Sequence, residues 1–181
     1  MNIRIFLFHP SYESSLANKR IIEGIEKKNK DISVYHVDSL YAQRTIDIET
    51  EQEKLVESDI IIFQFPLYWY SVPGMMKSWF DNVMVYGFAF GANGDKLKGK
   101  SLILSLTTGA TEESYTISGR NGHKIEDYFL WIEQLGRLTQ MKYQGIIVSY
   151  GYSLQAGMEY IEQTTSRHVE RLYDMILQQT K

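Results

Sequence analysis

The sequence predicts an α/β fold with five parallel strands in the order 2-1-3-4-5 and helices on both faces. Two observations lead there. Short segments of nearly unbroken apolar residues alternate with longer segments whose apolar residues recur at helical spacing. Strands that alternate with helices imply a parallel sheet covered on both sides. The 181 residues show no internal repeat, low-complexity tract or linker. One domain spanning 1–181 is expected, long enough for a sizeable core.

Each element has its own justification. Ile3-Arg4-Ile5-Phe6-Leu7-Phe8 is almost all apolar, as a strand buried on both faces should be. Ser15 then precedes a helical run with Ala17, Ile21, Gly24 and Ile25 on one face. Ile32 to Val37 alternates and is rich in β-branched residues, which marks the second strand. Glu49 to Ser58 reads as a short helix with Leu55 and Val56 inward. Its acidic run, Glu49 to Glu53, reads as a solvated first turn favoured by the helix dipole. Asp59 to Phe65 is the third strand and stops at Pro66; Pro73 opens a helix to Tyr86 that carries Met76, Trp79, Phe80 and Val83. Lys100 to Leu106 is the fourth strand. Gly122 to about Thr139 reads as a helix with Ile125, Phe129, Ile132, Leu135 and Gly136 along its stripe. Gly145 to Tyr150 is the fifth strand, and Glu159 to Gln178 the last helix, with Ile161, Val169, Leu172 and Ile176 inward.

Composition excludes several functions. A net charge of -3 without a basic stripe argues against a nucleic-acid binder. The absence of cysteine rules out disulfides, thiol catalysis and thiolate metal sites, and fits a cytoplasmic protein. The first residues lack the apolar core of a secretory signal, and no stretch approaches the ~20 apolar residues of a membrane span. No histidine pair has metal-ligand spacing, so no metal site is expected. His36 and His168 read as structural residues. There is no Gly-x-Ser-x-Gly elbow, Walker lysine or Gly-x-Gly-x-x-Gly fingerprint.

In open α/β sheets, ligands bind at the carboxyl ends of the strands. Three loops there are unusual. His9 to Asn18 is rich in hydroxyls and enters a helix, whose first N–H groups suit a phosphate; the same serines also make good N-caps. Leu67-Tyr68-Trp69-Tyr70 forms an aromatic wall suited to a flat, conjugated ligand. Thr107-Thr108-Gly109-Ala110 offers donors and a close backbone approach, and leads into a long loop to Gly122.

These motifs, with Lys77, Asp81 and Gly87-Phe88-Ala89-Phe90, resemble the flavodoxin-like NAD(P)H:quinone oxidoreductases. The spacing is most similar to their short bacterial branch of general stress oxidoreductases and ancillary flavoproteins of potassium efflux systems. The resemblance covers nearly the whole chain and implies a flavodoxin-like three-layer sandwich. It also implies a bound flavin. His9, Ser15, Leu16, Ala17 and Asn18 would hold its phosphate end. Leu67, Tyr68, Trp69 and Tyr70 would line the ring, and Thr107, Thr108, Gly109 and Ala110 would close the other side. Tyr115 matches a catalytic tyrosine, but Asn121 stands where longer members pair it with a histidine; His123 is the nearby alternative.

The implied activity is two-electron, ping-pong hydride transfer from NAD(P)H to a quinone-like acceptor. FMN is expected rather than FAD, because longer members use extra carboxyl-terminal chain to hold the adenine. A homodimer is expected from the aromatic density of Trp79 to Phe90. Two other readings stand beside the enzyme. One is a flavodoxin-type electron carrier, which would have a different phosphate loop and a more acidic chain. The other is a regulatory partner of a membrane potassium transporter, suggested by Ile46-Asp47-Ile48 with Glu51-Gln52.

Overall fold

All five strands pair in parallel in one sheet, in the order β2-β1-β3-β4-β5, as the sequence predicts. The computed structural model describes residues 1–42, 45–153 and 156–179. The strands are β1 (Ile3–Leu7), β2 (Ser33–His36), β3 (Ile60–Pro66), β4 (Ser101–Thr107) and β5 (Lys142–Ser149). The helices are α1 (Leu16–Lys28), α2 (Val37–Tyr41), α3 (Ile48–Glu57), α4 (Gly74–Val83), α5 (Leu130–Thr139) and α6 (Met158–Gln178).

Residue parity sorts the strand side chains into two cores, because successive side chains point to opposite faces. Ile3, Ile5, Leu7, Ile60, Ile62, Ile103 and Ile147 face α1 and α6 and form an aliphatic layer. Phe6, Phe8, Ile61, Phe63, Phe65, Leu104 and Leu106 face the other way, into an aromatic-rich layer with α2 to α5. β3 and β4 are buried along their whole length. The expected inward residues of α6 (Ile161, Val169, Leu172 and Ile176) are all buried. Each is worth about 1.5–3 kcal/mol of apolar burial. Gly24 lets α1 approach α6: a Cβ there would sit 2.7 Å from a Val169 methyl.

Several local expectations change. Val37 does not end the second strand but starts α2. Val56 is exposed, while Leu55 points inward. β3 continues through Pro66, because that residue needs no N–H in the pairing it makes. The expected helix at Gly122 begins later: Ile125–Phe129 is a 3-10 turn and α5 starts at Leu130. β5 starts at Lys142, and Gly145 (φ +115°) accommodates a register shift against Leu102 and Ile103.

The acidic run is not all solvated. Glu51 is 0% exposed. It accepts from Tyr41 Oη (2.8 Å) and Trp79 Nε1 (2.9 Å) and pairs with Lys54, so one carboxylate ties α2, α3 and α4 together. The aromatic density of Trp79 to Phe90 is also largely absorbed inside the chain. Trp79, Phe80 and Phe88 are buried and Phe90 half-buried, leaving Tyr86 exposed.

His168 on α6 is 1% exposed, with Ser105 Oγ 2.6 Å from Nε2 and Ser149 Oγ 2.7 Å from Nδ1. Burial, then the nearby Arg171 charge, pushes its pKa down to about 3. The unfolded chain takes up this proton below its ordinary value of 6.5, while the folded chain stays neutral. The unfolded state therefore binds more protons, and stability falls with falling pH across 6.5 to 3. Urea unfolding of wild type and His168→Phe across this window should show wild type losing about 1.4 kcal/mol per pH unit more than the variant. Parallel pH profiles would refute the assignment.

Candidate functional site

The loops after β1, β3, β4 and β5 meet above the carboxyl edge of the sheet. Backbone hydrogen bonds knit three of them: Leu67 N–H donates to Thr107 O (2.8 Å), Thr108 N–H to Ser149 O (2.9 Å) and Tyr152 N–H to Thr108 O (3.1 Å). A cavity of about 470 Å³ opens among them, within the range of small-molecule sites. His9, Ser15, Leu16, Ala17, Asn18, Leu67, Tyr68, Thr107, Thr108 and Gly109 all line it. The structure thus gathers ten expected residues from three separate loops.

One end of the cavity is built to donate hydrogen bonds. Ser15 caps α1, its Oγ accepting the Asn18 N–H at 3.2 Å. Helix N–H groups ahead of Asn18 have no partner within the helix, and the helix dipole favours an anion there. His9 is buried, and its pKa is lowered by burial and by His36. Its Nδ1 accepts the Ser11 N–H at 3.1 Å, so the neutral ring carries its proton on Nε2. Among the described residues no carboxylate lines the cavity. A phosphate fits this donor set without needing a lysine or arginine.

The other expected residues stand at the rim. Tyr68 and Ser71 exchange backbone hydrogen bonds (3.0 and 2.9 Å), closing a two-residue turn. Trp69 and Tyr70 occupy it with φ of 51° and 60°, a conformation costing a non-glycine residue about 1–2 kcal/mol. Trp69 is 95% exposed. Tyr70 stacks on Tyr128 at 5.4 Å and reaches Asn121 Oδ1 at 3.4 Å. Neither Trp69 nor Tyr70 lines the cavity. Ala110 is also outside it, its carbonyl accepting the Gly151 N–H at 3.0 Å.

Tyr115 is 7% exposed and its Oη lies 3.0 Å from Thr108 Oγ1. It touches the cavity through that threonine and packs edge-on to Tyr128. The tyrosine–histidine pair does not form among the described residues. Asn121 contacts Tyr70, and His123 lies by Asp127 and the Tyr128 ring.

Sequence reasoning missed the wall supplied after β5. Tyr152, Ser153, Ala156, Met158 and Ile161 line the cavity. Tyr150 packs against Tyr115, and burial pushes its pKa up to about 12, so it stays a hydroxyl donor at neutral pH. The rule that led to the other loops also applies to Tyr150-Gly151-Tyr152 at the end of β5.

A family model for the flavodoxin-like fold matches residues 1–174. The chain belongs to that family. General stress protein 14 of Bacillus subtilis is 36% identical over 98% of both chains. The uncharacterized NAD(P)H oxidoreductase YdeQ of the same organism is 34% identical, over 98% of this chain and 89% of its own. Human ribosyldihydronicotinamide dehydrogenase [quinone] is 47% identical over 61% of this chain and 50% of its own. The potassium-efflux ancillary protein KefF of Enterobacter is 37% identical over 68% and 69%. Among solved structures, a chain described as a thermophilic tryptophan halogenase from Streptomycin violaceusniger superposes with TM-score 0.87, at 32% identity over 94% and 98%. A general stress protein 14 from Treponema denticola, in complex with FMN, superposes with TM-score 0.88 at 24% identity over 97% and 99%, which speaks to the fold alone.

Proposed function

We propose that the protein is an FMN-dependent NAD(P)H oxidoreductase that reduces quinones or related acceptors. The observation that carries this is the two-ended site. A donor-rich cavity, without carboxylates among the described residues, opens at the N-terminus of α1, beside an exposed aromatic rim on the β3 loop. The relatives named as NAD(P)H oxidoreductase and as a quinone-linked dihydronicotinamide dehydrogenase support it.

When bound, the flavin supplies the redox chemistry, taking two electrons as hydride from a reduced nicotinamide and delivering them to the acceptor. The chain's residues bind, orient and shield. The backbone at Leu16 and Ala17, with the side chains of Ser15 and His9, would hold the phosphate by N–H and O–H donation, and Asn18 would orient the Ser15 hydroxyl through its amide. Leu67 and Tyr68 would line the ring on one side, and Thr107, Thr108 and Gly109 would flank it on the other, with Ala110 just outside the cavity. Trp69 and Tyr70 exclude water and give the planar substrates a stacking surface. Tyr115, held by Thr108, is the proposed catalytic hydroxyl and would donate a hydrogen bond to charge that develops during reduction. Cytoplasmic placement belongs to the same proposal. Separately, no helix among the described residues is long and apolar enough to cross a membrane.

A transporter-associated role is the second reading, favoured by the identity to the potassium-efflux ancillary protein. The residues that suggested it from sequence are mostly engaged within the fold. Asp47 caps α3, Glu51 is buried, and Gln52 Nε2 donates to Val83 O at 2.9 Å.

A homodimer is the proposed assembly, resting on the exposed large apolar side chains Trp69, Tyr70, Tyr86 and Leu130. Sedimentation at micromolar concentration should give twice the 21.1 kDa chain mass; a monomer mass opposes it. Flavin released by heat should run with FMN on chromatography, at about one mole per chain, and recovery of FAD would contradict the cofactor. Tyr115→Phe should slow flavin reduction by NADH or NADPH in stopped flow about tenfold or more, while FMN affinity holds. Reduction at the wild-type rate with both donors would make Tyr115 only a wall of the pocket.

A further inference from the structure

A line of buried polar side chains crosses the sheet from α6 to the cavity. Ser149, His168, Ser105, Gln64, Asn18 and Thr107 are all buried, although their surroundings are apolar. Their hydrogen bonds are continuous. His168 bridges Ser149 and Ser105, Ser105 meets Gln64, and Gln64 Nε2 reaches Asn18 Oδ1 at 2.6 Å. Asn18 Nδ2 then reaches Thr107 Oγ1 at 3.0 Å and Ser15 Oγ at 3.2 Å.

The chain of bonds has a direction, and Asn18 sets it. A buried amide nitrogen carries two hydrogens, and each needs an acceptor. Two hydroxyl oxygens stand on one side of the Asn18 amide and a single glutamine on the other. Only with Nδ2 toward Ser15 and Thr107 are both hydrogens used. Oδ1 then faces Gln64 and must receive a donor, so Gln64 presents its nitrogen there and its oxygen to Ser105. Ser105 therefore spends its hydrogen on Gln64, and its oxygen accepts from His168 Nε2–H. His168 is left with Nδ1 as acceptor for the Ser149 hydroxyl.

The far end of this chain faces the cavity. Ser15 Oγ already accepts from both the backbone N–H and the side-chain amide of Asn18. Thr107 Oγ1 accepts from the same amide. Among the described residues neither hydroxyl has an acceptor for its own hydrogen, and both residues line the cavity.

We propose that His168 is a positioning residue for the anion end of the site: its Nε2–H tautomer, acting through Ser105, Gln64 and Asn18, turns the Ser15 and Thr107 hydroxyl hydrogens into the cavity. Two aligned donors favour a ligand end made only of acceptors, an ionised phosphate monoester. They disfavour a neutral alcohol, which brings a hydrogen of its own. The inference rests on the cofactor reading and deepens it. The depressed pKa of His168 agrees with a ring that stays neutral across the physiological range; the tautomer follows from the hydrogen-bond directions alone.

The test has two arms. In the first, two-dimensional ¹⁵N spectra of histidine-labelled, flavin-free wild type should show the His168 ring as the neutral Nε2–H tautomer. A neutral Nδ1–H ring would mean the chain runs the other way and would overturn the proposal. In the second, apo wild type, His168→Phe and Ser105→Ala are titrated with FMN and with riboflavin, which lacks the phosphate. Both variants should lower the FMN-to-riboflavin affinity ratio about tenfold or more, the scale of lost hydrogen bonds to a charged group, while riboflavin binding changes little. His168→Gln, which restores an N–H donor, should recover part of the ratio. Equal weakening toward both ligands would reduce His168 to a purely structural role. Should His168→Phe fail to fold, Ser105→Ala and the wild-type spectrum still decide. If wild type binds neither flavin, the cofactor reading falls with the selectivity, whereas the tautomer still reports on the direction of the chain.

Discussion

Gln64 places a primary amide in the middle strand of the sheet, where it is fully buried. An amide left unpaired there would cost more than most single contacts return. The surrounding sequence has to answer it on both sides, and it does so with groups from different layers. Ser105 comes from the neighbouring strand, His168 from α6 and Asn18 from α1. An apolar residue at position 64 would pack with fewer demands. The amide instead fixes where the first turn of α1 sits relative to the end of β4. That relation defines the donor end of the cavity.

The parallel sheet accounts for the location of the site. Strands that all run one way bring their following loops to one edge, and each loop leaves with free backbone groups. Here the loops satisfy one another: Leu67 bonds Thr107, Thr108 bonds Ser149 and Tyr152 bonds Thr108. The rim of the cavity is therefore held by strand-like pairing that extends past the strands. The helices add a second kind of order. Glu51 gathers Tyr41, Trp79 and Lys54 beneath the aromatic layer, and so anchors α4, the helix that follows the aromatic turn.

Most element positions were legible in the sequence because apolar periodicity reports burial, and burial dominates here; the strand order followed from the flavodoxin-like arrangement that the alternation of strands and helices suggested. The cavity-lining parts of the three loops were legible for a different reason: position at a strand's carboxyl end carries functional meaning. Three kinds of feature were not legible. Local helix type at 125–129 depends on a backbone turn that periodicity cannot distinguish from an α-helix. The burial of Glu51 and His168 depends on partners far away in sequence, so a charged residue in an acidic run and a single late histidine gave no local sign of their networks. The aromatic density of 79–90 pointed to a surface, yet most of those rings fill the core beneath the sheet. Composition counts aromatic residues but does not say which way they face.

The turn at Trp69 and Tyr70 presents the opposite balance. A two-residue turn with both central residues at positive φ is relieved of strain by Asn-Gly or a similar pair. This chain puts two bulky aromatics there, at about 1–2 kcal/mol each. Trp69 gains almost no burial in return, since it is 95% exposed. Tyr70 recovers part of its cost by stacking on Tyr128, but burial offers Trp69 almost nothing. Packing within the chain explains Trp79, and a buried hydrogen bond explains Tyr41, but neither explains Trp69. What remains is contact with something outside the chain, and the turn's place at the rim of the cavity makes a planar ligand, or the surface that closes over one, the natural recipient. Strain of this kind is retained where function needs it, so the most exposed aromatic residue and the best-hidden histidine bear on the same site from opposite ends.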